Sequence, residues 1–251
     1  MPIMISKMTS GMSGADIECI INEAGIHAVL EGSKEIRQSD IVFALDRKVF
    51  KAVSRENSWS PEQRRHTAVH ESGHLVAALL LQPDDVTGAT ILPQGESEGH
   101  TVVAWDDEDI HNLATIQNRI TILLAGKVSE QVFYPGETFL GDSQDLTTAM
   151  KLARNLVQEH GIYGYDLCYF SEHYYPDPIS DEKLIRIEKK VADILKESAD
   201  QARKLIEDNK ELATKLITRL TRQYSLTREE IRRMFRSVKK WGSKAQNNSK
   251  T

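Results

Sequence analysis

Apolar residues recur at helical spacing along most of this chain, and one region breaks the period. Ile17, Ile20, Ile21, Ala24 and Ala28 fall three and four apart, after Ser13-Gly14-Ala15-Asp16 and before Gly32, which predicts a helix with one apolar stripe. Ser39-Asp40 predicts the cap of a second helix carrying Ile41, Ala44, Leu45 and Val49. A third start is Ser60-Pro61-Glu62-Gln63, with a serine N-cap, a proline at the first helical position and a glutamine placed to close a capping box. It leads into the unbroken apolar run Leu75 to Leu81, and Pro83 stops it. The pattern then changes. Val86 to Leu92 and His100 to Trp105 are apolar and β-branched, with a glycine- and glutamate-rich stretch between them, which predicts a β-hairpin.

Helical periodicity returns from about Ile110 to Phe133, with Leu113, Ile116, Ile120, Leu123, Leu124 and Val128 as the core face. Another helix is expected from the segment Gly141 to Leu146 to Gly161, with Asp145 in its first turn. Asp181 to Asn209 reads as one long charged helix, followed by Lys210 to Tyr224 and Arg228 to Trp241. The pattern therefore predicts a mainly α (α+β) fold: a two-helix unit over 1–53, a helical domain with a small hairpin over 54–241, and a polar, disordered tail over 242–251.

Composition narrows the function classes. The 251 residues carry a net charge of −5, which argues against general nucleic-acid binding despite the basic run Arg228, Arg232, Arg233, Arg236, Lys239 and Lys240. Cys19 and Cys168 form no C-x-x-C, so neither a disulfide framework nor a cysteine–zinc site is expected, and a reducing compartment fits. The longest apolar run has far fewer than the roughly 20 residues that span a bilayer, and the N-terminus has no signal-peptide pattern. The chain as given is expected to be soluble and cytoplasmic.

The chemistry lies in His70-Glu71-Ser72-Gly73-His74, inside the capped helix. Histidines four apart lie on one helix face and can reach one metal ion; the intervening Glu71 can reach metal-bound water without ligating. Two imidazoles and an oxygen suit zinc. A catalytic zinc needs a third protein ligand, and Asp145, Glu130, His66, Asp142 and His100 are the candidates. Three ligands along one straight helix do not converge on one tetrahedral ion, which demotes His66. Residue chemistry alone leaves Glu130 and Asp145 unseparated. Ala125-Gly126-Lys127 is not a phosphate loop, since the preceding glycine and the following Ser/Thr are missing. The hairpin offers either a structural ribbon or a strand edge for an extended peptide, with His100, Thr101 and Val102 as the candidate substrate contacts.

Thr67-Ala68-Val69-His70-Glu71-Ser72-Gly73-His74 resembles the motif helix of the FtsH family of ATP-dependent zinc proteases. Further segments match in order: Ile91-Leu92-Pro93-Gln94-Gly95, Gly99-His100-Thr101, Leu124 to Glu130, Asp145 to Ala149 and Ala153 to Val157. Thr9 to Ile17 with Asn22-Glu23-Ala24 resembles lid helices of the family's AAA module, so residues 1–53 read as a lid remnant. The resemblance implies zinc bound by His70, His74 and Asp145, and Glu71 as general base. It places Glu130 at an acidic position taken as structural or supporting. It also implies unfolded protein substrates, assembly in a six-fold ring, and a membrane anchor in segments this chain does not contain, with the peptidase on the cytoplasmic or organelle-interior side. Two residues depart from the family pattern: Gln144 for a usual Asn and Ser72 for a usual Ala. The chain carries no Walker A or Walker B motif. The competing reading is a catalytically silent ring-assembly or adaptor module of the same fold.

Overall fold

A computed structural model describes residues 12–37, 40, 41, 43–45, 60–92, 100–103, 112–139, 143–168 and 179–237. Helix α1, Gly14–Leu30, is held at its start by a reciprocal capping box: Ser13 accepts from the Asp16 amide, and Asp16 accepts from the Ser13 amide. Ile20, Ala24 and Ala28 of the expected stripe are buried, whereas Ile17 and Ile21 are exposed. Residues 40, 41 and 43–45 are helical, and Ala44 and Leu45 pack on Ile20 and Ala24. The cap of this second helix differs from expectation. Its first carbonyl is that of Arg37, and Asp40 reaches back to accept the Arg37 amide at 2.7 Å, so Asp40 closes the turn from inside. Asp40 also meets His27 Nδ1 at 2.7 Å, which joins the two helices.

The larger helical region is built around α2, Pro61–Leu81. Its N-terminus has the capping box read from the sequence: Gln63 N donates to Ser60 Oγ at 3.2 Å, and Ser60 N donates to Gln63 Oε1 at 2.9 Å. Every residue from Thr67 to Leu79 is buried, so this helix is enclosed on all sides rather than lying on a surface. It is enclosed by α3 (Leu113–Phe133), α5 (Asp181–Asp208), α6 (Lys210–Gln223) and a small sheet. Helix α4, Ser143–Gln158, packs mainly on α3 and α5. Two apolar cores result. One gathers α2, the sheet, α6, one face of α3 through Ile122, Ala125 and Val128, and the C-terminal half of α5 through Ala202 and Ile206. The other joins α3, α4 and the N-terminal half of α5 through Ile187, Val191 and Ile194. The long helix α5 therefore spans both cores and ties them together.

The expected hairpin is present as β1 (Val86–Thr90) and β2 (His100–Val103), antiparallel with Ala89 opposite Thr101 and an irregularity near Val86–Gly88. It gains a third strand that the sequence did not reveal: β3, Ser225–Thr227, pairs antiparallel with β1 on its other side, giving the order β2-β1-β3. All five residues of β1 are buried, as expected of a central strand, and β2 lies at an edge. The chain turns from α6 into β3 through Tyr224, a non-glycine residue at φ 64° whose carbonyl accepts the Ile91 amide at 2.8 Å. Residues 228–237 are helical; there Arg228 donates to the Asp84 carbonyl and Arg232 pairs with the Asp84 carboxylate at 3.2 Å. The remaining basic positions Lys239 and Lys240, the turn 93–99 and the tail 242–251 lie outside the described residues. Among the described residues no helix is long and apolar enough to cross a membrane.

Candidate metal centre

The centre forms where α2 crosses α3 at backbone contact. A Cβ on Gly73 would meet the Ala125 carbonyl oxygen at 2.2 Å and Ser129 Cβ at 2.6 Å, so only glycine permits this approach. Ser129 Oγ locks the crossing by donating to the Val69 carbonyl at 2.8 Å. On the facing helix, a Cβ on Gly126 would lie 2.4 Å from His74 Nε2 and 2.6 Å from His70 Nε2. Ala125-Gly126 is thus no phosphate loop but the gap in α3 into which both imidazoles fit. Neither glycine's part was legible beforehand. The available signal was small residues at positions 125, 126 and 129 amid the core-facing positions of this helix.

Both imidazoles have their outer nitrogen engaged. His74 Nδ1 lies 2.7 Å from the Ile122 carbonyl, which can only accept, so that nitrogen carries the proton. His70 Nδ1 lies 2.9 Å from Glu130 Oε1. Each neutral ring therefore leaves Nε2 bare, and the two Nε2 atoms face one another at 3.0 Å. Asp145, in the first turn of α4, brings Oδ2 to 3.1 Å from His74 Nε2 and 3.4 Å from His70 Nε2. Three acceptors thus close a triangle with no donor among them, and lone pairs so placed repel unless a cation lies between them.

The dimensions fit a tetrahedral ion. Bonds of about 2.0–2.1 Å at tetrahedral angles put neighbouring ligand atoms about 3.3–3.4 Å apart, against the 3.0, 3.1 and 3.4 Å found here. The charge balance agrees. Burial opposes the charged form of Asp145, yet a proton taken up on the facing His70 or His74 nitrogens would hydrogen-bond to it, and this outweighs burial and holds the carboxyl well below the usual carboxylate range. Burial likewise opposes charging His74, but Asp145 prevails and raises its pKa. Without an ion, the triangle would draw in a proton. Among the described residues, His70, His74 and Asp145 form the one group able to hold a metal.

The other candidates fall elsewhere. Glu130 is 2% exposed and sits on the far side of His70, touching Nδ1 rather than Nε2; its Oε2 takes the Lys127 ammonium at 3.0 Å. Burial opposes its charge, but contacts with His66, His70 and Lys127 outweigh burial and hold it deprotonated well below the usual range. Glu130 therefore fits an outer partner that orients an imidazole. His66 Nε2 is 3.3 Å from Glu130 Oε1, and its ring lies 4.0 Å from that of Phe139, so it supports Glu130 instead of joining the triangle. Glu71 is 5% exposed, and its charge acts on His74. His100, Thr101 and Val102 lie in β2, but their side chains, like Asp142, are outside the described residues.

Ser72, in the middle of the motif, is fully buried, and its hydroxyl has no partner among the described residues. A buried hydroxyl left unsatisfied costs on the order of 1 kcal/mol or more. Ser72→Ala is therefore expected to raise unfolding stability by about 1 kcal/mol, read as a higher urea midpoint with unchanged metal binding.

The Peptidase family M41 pattern matches residues 57–234, and the AAA+ lid domain pattern matches residues 4–42. The chain is 32% identical over 237 residues to the ATP-dependent zinc metalloprotease FtsH 2 of Symbiobacterium thermophilum, covering 92% of this chain and 40% of that protein. It is 34% identical to FtsH 3 of Sphaerobacter thermophilus, covering 88% and 45%, and 28% identical to FtsH of Bacillus subtilis, covering 92% and 38%. The chain thus spans less than half the length of these relatives. A match over most of the chain, centred on the helix that carries both histidines, places this protein in peptidase family M41.

Proposed function

We propose that this chain is the proteolytic part of an FtsH-like ATP-dependent zinc protease, cleaving peptide bonds in unfolded protein chains. The observation that carries the reading is the triangle of His70 Nε2, His74 Nε2 and Asp145 Oδ2, with buried Glu71 beside it on α2. In this reading those three atoms hold zinc. Zinc held there would supply Lewis acidity toward the attacking water and the substrate carbonyl. Glu71 takes the proton of the attacking water and returns it to the leaving amine nitrogen. Glu130 and the Ile122 carbonyl keep each imidazole turned with Nε2 inward. The edge position of β2, which contacts α2, supports main-chain pairing with an extended substrate at little sequence selectivity. The relatives' names supply the dependence on ATP, and the match of residues 4–42 to the AAA+ lid domain supports a link between this peptidase and an AAA+ ATPase.

The test is zinc content and casein cleavage, measured on the purified chain and on Asp145→Ala. Wild type should hold one zinc per chain. The variant should lose it, with an affinity drop larger than the roughly 10–100-fold that follows loss of an outer partner. Asp145→Ala that keeps its zinc would move the third ligand elsewhere.

A further inference from the structure

Lys127 belongs to no catalytic motif, yet it joins the two sides from which the metal triangle is built. Its ammonium lies 3.0 Å from Glu130 Oε2 and also donates to the carbonyl of Phe139. Through its other oxygen, Glu130 accepts from His70 Nδ1 at 2.9 Å, so this arm ends on the first metal-facing imidazole. Phe139 lies in the irregular segment after α3 and stands six residues before Asp145. Its ring is seated against His66 at 4.0 Å and Tyr134 at 5.2 Å, so the carbonyl that Lys127 grips belongs to an anchored residue.

We infer that Lys127 is a positioning residue for the metal site: its ammonium ties the chain that delivers Asp145 to the Glu130–His70 pair. This inference rests on the metal reading above. The chemistry of the ammonium suits the task. It has three donors spread in space and can serve a carboxylate and a carbonyl at once. The pairing with Glu130 is not an ordinary surface pair either, because the Glu130 side chain is 2% exposed and that of Lys127 35%. Without the ammonium, the Phe139 carbonyl loses a donor and this segment loses its tie to Glu130, while α4 keeps its packing on α3 and α5.

The experiment compares the whole chain with Lys127→Met and Lys127→Arg. Zinc affinity is read by chelator competition, the ligand field by the visible absorption of the cobalt(II)-substituted protein, and the fold by thermal melting of the metal-free chain. Lys127→Met should lower zinc affinity by about tenfold, the size of effect expected of an outer partner, and shift the cobalt bands, while the metal-free chain still melts cooperatively at a midpoint lowered by the loss of Glu130's cation. Lys127→Arg, which keeps several donors, should restore both metal readouts. In an Asp145→Ala background, Lys127→Met should cost no further affinity, because the tethered chain no longer carries a ligand. Should the methionine variant fail to fold, Lys127→Gln takes its place in every arm. Wild-type affinity and cobalt spectrum in Lys127→Met would overturn the proposal, and so would failure of the arginine to restore them. Undiminished cost in the Asp145→Ala background would also overturn it, since the lysine would then act on His70 only. A wild-type chain that binds no zinc at all would overturn the metal reading itself, and this proposal with it.

Discussion

Glu71→Gln should leave zinc bound at the wild-type stoichiometry and cut casein hydrolysis by about 10²–10⁴-fold, the usual share of a general base. The two halves of this expectation have separate causes. Zinc retention follows because the triangle is made by His70, His74 and Asp145, and none of its three edges involves Glu71. Glutamine is also nearly isosteric, so the tight crossing at Gly73 is undisturbed. The activity loss follows because an amide cannot take the proton of the attacking water. The removed charge also acts on His74, where burial is the larger influence and opposes protonation, while Asp145 and Glu71 favour it. In the variant, His74 should therefore take up a proton at lower pH than in wild type, which favours metal binding. Zinc measured by atomic absorption and cleavage measured on the same sample separate the cases. Hydrolysis at the wild-type rate would remove Glu71 from the mechanism; loss of zinc would make it part of the metal's support.

How much of this was legible in the sequence depended on the range of each interaction. The start of α2 was readable because Ser60 and Gln63 satisfy each other's backbone amide within one turn and Pro61 has no amide hydrogen to satisfy. The pairing of His70 with His74 was readable because four residues on a helix fix a direction. Asp145 and Glu130 were not separable from residues alone. Both are acids on helices, 75 and 60 residues from His70, and no local rule states which ring nitrogen each will face. Resemblance to the family singled out Asp145; in three dimensions Glu130 lies at Nδ1 and Asp145 at Nε2. The strand β3 was hidden for a related reason. Ser225–Thr227 is too short to show alternation, and its partner β1 lies more than a hundred residues away. The cap at Arg37 was misread because Ser39-Asp40 is the commoner signal, whereas here Asp40 reaches backward to a residue with no capping chemistry of its own. The silent glycines were furthest from view, since their role is the absence of an atom.

That absence yields the largest structural prediction. Gly126→Ala is expected to abolish zinc binding, an effect of at least 100-fold that exceeds what loss of an outer partner costs, while the chain still folds. The added methyl would stand 2.4 Å from His74 Nε2, 2.5 Å from His70 Cε1 and 2.6 Å from His70 Nε2, well inside van der Waals contact. Neither ring can retreat without loss, because His70 is held from behind by Glu130 and His74 by the Ile122 carbonyl. The clash is nevertheless with the tips of side chains, which can rotate away at the expense of the site and not of the helix crossing. Gly73→Ala is the contrasting control. There the methyl meets the backbone oxygen of Ala125 at 2.2 Å, which only separation of α2 from α3 can relieve. Overpacking of this kind costs about 1–3 kcal/mol or more, so Gly73→Ala should lower the thermal midpoint of the metal-free chain strongly, and Gly126→Ala only slightly. Zinc titration and melting of both variants, side by side, would tell the two roles apart. Full zinc binding in Gly126→Ala would mean that the imidazoles do not meet in the gap that this glycine leaves in α3.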